Sequence, residues 1–103
     1  MVEKLIPLKA KYIMDDNPDA VILDVRDLDE YLENGHIPYA QLIPLKELSE
    51  RAEDELPDRD ALIMVYCQSG VRSSKAAFLL DELGYTNVKD IGGLKDWPFE
   101  VEN

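Results

Sequence analysis

The sequence predicts an α/β fold with a mostly parallel central sheet of about four to five strands flanked by helices. Three observations carry this. Blocks rich in β-branched apolar residues alternate along the chain with segments of helical period. The two strongest blocks, Ala20 to Val25 and Leu62 to Tyr66, are nearly continuous in their hydrophobicity, as strands covered on both faces are. The punctuating residues Asn17-Pro18, Gly35, Pro44, Pro57 and Gly84 fall between these segments and not inside them. A chain of 103 residues, 46% hydrophobic and 32% charged, suits one compact domain over residues 1–103.

In chain order, Leu5-Ile6 reads as an edge strand. Leu8 to Asp15 reads as a helix that stops before Asn17-Pro18, because the residue ahead of a proline is pushed out of the helical region. The strand Ala20 to Val25 follows. Asp27 to Asn34 is a short helix with Leu28, Tyr31 and Leu32 on one face and Gly35 as its stop. Gln41 to Ile43 is a short strand, and Leu45 to Glu55 is a helix between Pro44 and Pro57. The strand Leu62 to Tyr66 leads to the best helix, Ser73 to Leu83. There Ala76, Ala77, Leu79, Leu80 and Leu83 keep the 3.6 period and Gly84 ends it. Val88 to Ile91 is a further strand, and Leu94 to Trp97 a last turn before Pro98. Tyr66 and Phe78 read as core, Trp97 as a core or rim aromatic, and Glu100 to Asn103 as a frayed tail.

The charge of −11 repels nucleic acid and anionic membranes, so neither is expected as a partner. No apolar run approaches the roughly 20 residues of a membrane span, and the first residues lack the pattern of a signal peptide. A cytoplasmic location is therefore expected. Cys67 is the only cysteine and His36 the only histidine, which leaves no internal disulfide and no ordinary zinc site. The acidity is uneven. Glu47 to Asp60 is crowded with carboxylates, whereas Cys67 to Leu80 holds Arg72 and Lys75 and no acid. Such an island favours a small anionic substrate.

Chemistry gathers in Cys67-Gln68-Ser69-Gly70-Val71-Arg72-Ser73, between a buried strand and the start of a helix. In α/β sheets, sites form outside the carboxyl ends of strands. The thiolate is the reactive form of cysteine, and a helix N-terminus with a nearby arginine favours it. Backbone N–H groups in a tight loop form an anion nest. Gly70 permits a positive φ, Arg72 offers a fork for an oxyanion, and Ser69, Ser73 and Ser74 offer donors. A lone cysteine ending a core strand is otherwise a small buried hydrophobe. The Gly70-Val71-Arg72-Ser73 sequel is what favours chemistry. Upstream, Asp24 ends its strand near the same sheet edge as Cys67, placed to polarise the loop or cap an amide. Arg26 and Glu30, four apart around a helix start, are expected to pair with each other.

The Cys67 to Ser73 segment resembles the active-site loop of the rhodaneses, whose single-domain members read C-x-x-G-x-R-S. The resemblance runs through most of the chain: Asp24-Val25-Arg26, Glu30-Tyr31, Gly35-His36-Ile37-Pro38, Leu83-Gly84-Tyr85 and Gly92-Gly93-Leu94 with Trp97 follow in the family's order and spacing. It implies a small rhodanese-like domain and a sulfurtransferase that needs no cofactor or metal. Cys67 is implied as the nucleophile that becomes a persulfide. Gln68, Ser69, Gly70, Val71, Arg72 and Ser73 are implied as the substrate-binding loop, with Asp24 and Arg26 in support. The implied partners are a sulfane-sulfur donor, either a small anion such as thiosulfate or a persulfide, a thiol or cyanide acceptor, and a protein as an alternative acceptor. His36 belongs to a turn-forming segment in the family. Tyr39 departs from the family's usual glycine and bears on the backbone after Pro38. Two other functions compete. A sulfur-relay or interaction module would use the same loop without a free small substrate. Cysteine-dependent phosphatases and arsenate reductases place five residues between Cys and Arg, whereas four, Gln68 to Val71, lie here, a tighter cradle suited to sulfur.

Overall fold

A computed structural model describes residues 2–103. Five strands run β1 (Glu3–Lys4), β2 (Val21–Asp24), β3 (Gln41–Leu42), β4 (Ile63–Cys67) and β5 (Val88–Gly93), and four α-helices run α1 (Pro7–Asp16), α2 (Leu28–Glu33), α3 (Leu48–Glu55) and α4 (Val71–Glu82). The sheet order is β1-β5-β4-β2-β3, and each of its four pairings is parallel. The α/β fold expected from the sequence is thus present, with β4 at the centre. One-turn 3₁₀ segments at Leu45–Glu47 and Leu94–Asp96 complete the order.

Strand β4 is buried at all five positions, which explains why its sequence shows no alternation. Its side chains nevertheless split by parity. Ile63, Val65 and Cys67 join a core with Leu23, Val25, Leu48, Ala76 and Leu80, beneath α3 and α4. Met64 and Tyr66 join the opposite core with Ala10, Ile22, Ile37, Ile91 and Trp97, beneath α1. The parity therefore turns Cys67 toward the helix that follows it.

Several sequence expectations are corrected. Strand β1 lies at Glu3–Lys4 and not at Leu5-Ile6, because Pro7 takes the first position of α1 and Ile6 serves as its N-cap. Helix α4 starts at Val71, two residues before Ser73, since Gly70 turns the chain at φ +101 and lets the helix begin at once. Leu28 and Leu32 do not form a buried face: they are 55% and 59% exposed, and only Tyr31 packs against the core from α2. Phe78 is 65% exposed, because Ser73, Ala76, Ala77 and Leu80 define the buried stripe of α4 and Phe78 falls off it. The tail is tied down in part: His36 and Glu102 pair as an antiparallel bridge, with each amide donating to the other's carbonyl at 2.8 Å. Tyr39 adopts φ +68, a left-handed conformation that glycine takes more readily than tyrosine. Among the described residues no helix is long and apolar enough to cross a membrane.

Candidate active site

Cys67 is the last residue of β4 and wholly buried. The chain then turns through Gln68, Ser69 and Gly70 into α4, so the sulfur sits under the helix N-terminus. Its Sγ accepts the Gly70 N–H at 3.0 Å and the Ser73 N–H at 3.2 Å. Both donors belong to the helix-opening segment, whose N–H groups have no partner within the helix, and whose dipole favours negative charge.

Three anchors hold this loop. Arg26, wholly buried, lies two residues beyond Asp24, also wholly buried; its Nη2 donates to Asp24 Oδ2 at 2.8 Å and to the Gly35 carbonyl at 2.7 Å. Arg26 Nη1 reaches on to Gln68 Oε1 at 3.2 Å. The Asp24 carboxylate also accepts the Arg26 backbone N–H at 2.9 Å, which fixes the turn after β2. The second anchor is Asp90, 3% exposed, whose Oδ1 accepts the Ser73 hydroxyl at 2.8 Å and the Gly92 N–H at 3.0 Å. The third is the end of β5. A register shift between Val65 and Tyr66 leaves Ile91 as an extra residue and brings Gly93 opposite Cys67. A Cβ on Gly93 would stand 2.5 Å from the Gln68 carbonyl oxygen, so the loop rests directly on this strand. The Lys95 N–H donates to that carbonyl at 3.1 Å.

At the mouth stands Arg72. Its Nη1 and Nη2 donate to Glu30 Oε1 and Oε2 at 2.7 and 2.8 Å, a bidentate pair between α4 and α2. The Arg72 guanidinium is the main reason the Glu30 carboxyl is held down to about 2, with the Asp27 N–H helping. Glu30 in turn raises Arg72 above its ordinary value. The expected Arg26–Glu30 pairing is therefore corrected: Arg26 pairs with Asp24 and Glu30 with Arg72. At the end of β2 the chain is not yet helical, so a spacing of four does not bring side chains together. Within the acid-free stretch Glu30 from another element engages Arg72, whereas Lys75 is exposed.

The loop residues thus divide. Gly70 and Ser73 meet the sulfur, Gln68 is tied to Arg26, Ser69 and Val71 are exposed at the rim, and Arg72 is engaged by Glu30. His36 stacks on Tyr31 with ring centroids 3.9 Å apart, and its Nδ1 lies 3.2 Å from the Tyr31 carbonyl. Tyr66 faces the other core, accepts the Ile37 N–H at 3.0 Å and carries the Arg26 guanidinium over its ring. Burial pushes its phenol far up. Sequence reasoning overlooked Asp90 and the supporting place of Gly93. Asp90 stands two residues from Val88 along the strand and so shares its buried face, which was the available signal for it. A cavity of about 680 Å³ opens between α1 and Trp97, but none of its lining residues belongs to the loop. Among the described residues no group of three or more His, Cys, Asp or Glu is placed to hold a metal ion.

Residues 8–99 match the family profile described as the Rhodanese-like domain. The chain is 43% identical over 74 residues to thiosulfate sulfurtransferase PspE of Escherichia coli strain K12, covering 72% of this chain and 70% of that protein. It is 38% identical over 93 residues to YrkF of Bacillus subtilis strain 168, a protein provisionally named as a sulfur carrier; that match covers 89% of this chain but spans only 49% of YrkF. Among solved structures it is similar to a rhodanese with anions from E. coli, with a TM-score of 0.75 at 38% identity, covering 81% of this chain and 96% of that one.

Proposed function

The chain belongs to the rhodanese-like domain family, and from that premise we propose that it is a sulfurtransferase carrying the transferred sulfur on Cys67. The observation that carries this reading is the pair of backbone N–H groups, Gly70 and Ser73, aimed at the Cys67 sulfur at a strand end beneath a helix N-terminus. Such an arrangement stabilises a sulfur anion without a general base. It suits both a thiolate and the persulfide that replaces it.

In the first step the Cys67 thiolate attacks the outer sulfur of thiosulfate. The new Cys67 S–S bond forms, the bond to the sulfonate sulfur breaks, and sulfite leaves with the electron pair. In the second step cyanide or a thiolate attacks the outer sulfur of the persulfide. Thiocyanate or a new persulfide departs, and the Cys67 thiolate returns. Splitting one transfer into two is nucleophilic catalysis and gives ping-pong kinetics. Gln68, Ser69, Gly70, Val71, Arg72 and Ser73 form the substrate-binding loop in this reading, with backbone donors placed where negative charge develops. Asp24 and Arg26 support it by holding Gln68. The match to YrkF favours one variant of the same chemistry, in which the acceptor is a thiol on another protein.

The test is intact mass after mixing with thiosulfate. The protein should gain one sulfur and lose it to cyanide with formation of thiocyanate. Cys67→Ser should fold, since the two side chains are alike in size, and should gain nothing. Sulfur loading that survives in Cys67→Ser would overturn the assignment.

A further inference from the structure

The cavity of about 680 Å³ beside α1 has the size of a binding groove, and no residue of the Cys67 loop lines it. Its floor includes Ile22 and Ile37, both buried. Trp97 also lines it and is 9% exposed. The indole Nε1–H of Trp97 is the one buried side-chain polar group without a hydrogen-bond partner among the described residues. Buried donors are nearly always paired, so this one marks a place for an acceptor. Tyr39 completes the groove with a ring that is 95% exposed, on a backbone held at φ +68. Backbone strain of this kind persists where a ligand is clamped. The charges are uneven. Lys11 lines the groove but donates to both oxygens of Asp15, at 2.8 and 2.7 Å, so that pair is neutral. The Glu100 carboxylate, exposed on the same groove, has no ion-pair partner among the described residues. It also lies beyond the segment, residues 8–99, that matches the family profile.

We propose that this groove binds a short extended peptide segment of another protein, rich in proline or leucine and carrying an arginine or lysine. Each feature of the groove selects one feature of that ligand. The Trp97 indole donates to a peptide carbonyl. The Tyr39 ring and the Ile22 and Ile37 floor cover proline or aliphatic side chains. Glu100 pairs with the basic residue, and the net charge of −11 steers such a segment toward the protein. Extended proline-containing segments suit aromatic-lined grooves, because they are already ordered and lose little entropy on docking. The site is separate from the sulfur chemistry and does not depend on the sulfurtransferase reading.

The probe is a phage-displayed library of random heptapeptides, selected on the immobilised full chain and counter-selected on bare support. Recovered sequences should combine proline or leucine with arginine or lysine. The tightest is synthesised with a fluorescent label, and its Kd is read by anisotropy. Trp97 is the only tryptophan, so a ¹H–¹⁵N spectrum holds one indole peak. That peak should move downfield as the N–H gains an acceptor. Tyr39→Gly should raise Kd by about fivefold or more, the effect of truncating an aromatic anchor. Glu100→Lys should raise it by a similar factor and should bind the peptide whose basic residue is replaced by glutamate better than wild type does. Thermal melts of both variants show that lost binding is lost contact; if Tyr39→Gly melts early, Tyr39→Asn, which also tolerates positive φ, takes its place. No enrichment over bare support, recovered peptides without a basic residue, an unmoved indole peak, or a Kd that survives both substitutions would overturn the proposal. Self-association in sedimentation that Tyr39→Gly abolishes would give the groove to a second copy of the chain and overturn it as well.

Discussion

Replacing Gly93 by alanine isolates how far the loop depends on the strand beneath it. Gly93 lies opposite Cys67 with φ −108 and ψ 144, ordinary extended backbone that alanine adopts without strain. The cost is steric alone. The new Cβ would stand 2.5 Å from the Gln68 carbonyl oxygen, 2.7 Å from Ser69 C and 2.8 Å from Ser69 Cα. Normal contact begins near ~3.5 Å, so the loop must retreat by roughly 0.7–1 Å. All three atoms are backbone, and no side-chain rotation relieves them. Overpacking of this kind costs about 1–3 kcal/mol, and each kcal/mol lowers Tm by about 4–8 °C in a domain of this size. Activity should suffer more, because misplacing reactive groups by about 1 Å costs on the order of 10²-fold. Gly92→Ala is the contrast. Its φ of +86 imposes backbone strain, but nothing lies within 4 Å of the added Cβ. It should lose about 1–2 kcal/mol of stability while loading Cys67 at a rate much closer to wild type. The assay is the rate of sulfur gain by intact mass, paired with a thermal melt. A Gly93→Ala protein that loads at the wild-type rate would refute the claim that β5 sets the loop's position.

Other outcomes follow from the same geometry. Arg72→Ala leaves the Glu30 carboxylate unopposed at the mouth, so half-saturating thiosulfate should rise by roughly tenfold or more, as for a lost charged hydrogen bond. Arg72→Lys keeps the charge without the fork and should fall between; an unchanged value in the alanine variant would make Arg72 purely structural. Glu30 titrates near 2 in the folded protein, chiefly because of Arg72, against 4.5 unfolded, so its stabilisation is complete above about pH 4.5 and is lost as pH falls toward 2. Wild type should therefore exceed Glu30→Gln in urea melts at pH 6 and lose that advantage by pH 2; an advantage persisting at pH 2 would assign it to something other than the carboxylate. Tyr39→Gly relieves a φ of +68 at a 95% exposed ring. The relief of roughly 1–2 kcal/mol exceeds the added chain freedom of about 0.5–1 kcal/mol, so stability in urea should hold or rise, and a clear loss would mean the ring makes contacts of its own.

What the sequence determined by itself is local and continuous. Apolar blocks announced β2, β4 and β5, the period from Ala76 to Leu83 announced α4, and the run from Cys67 to Ser73 announced a strand–loop–helix site together with its family. Each is a property of neighbouring residues, governed by sterics and by the helical or extended repeat. Tertiary structure decided which groups meet. Because β4 is buried on both faces, no alternation in its sequence tells which core Cys67 faces; packing against α4 does. Glu30 and Arg72 are 42 residues apart, and only the folded chain brings α2 within reach of the start of α4, whereas the nearer Arg26 is taken by Asp24 at the strand end. The extra residue Ile91 in β5 sets Gly93 under the loop, and Asp90 finds Ser73 across two elements. The pairing of charges and the support beneath a loop depend on distances through space, and local sequence carries those only after the chain has packed.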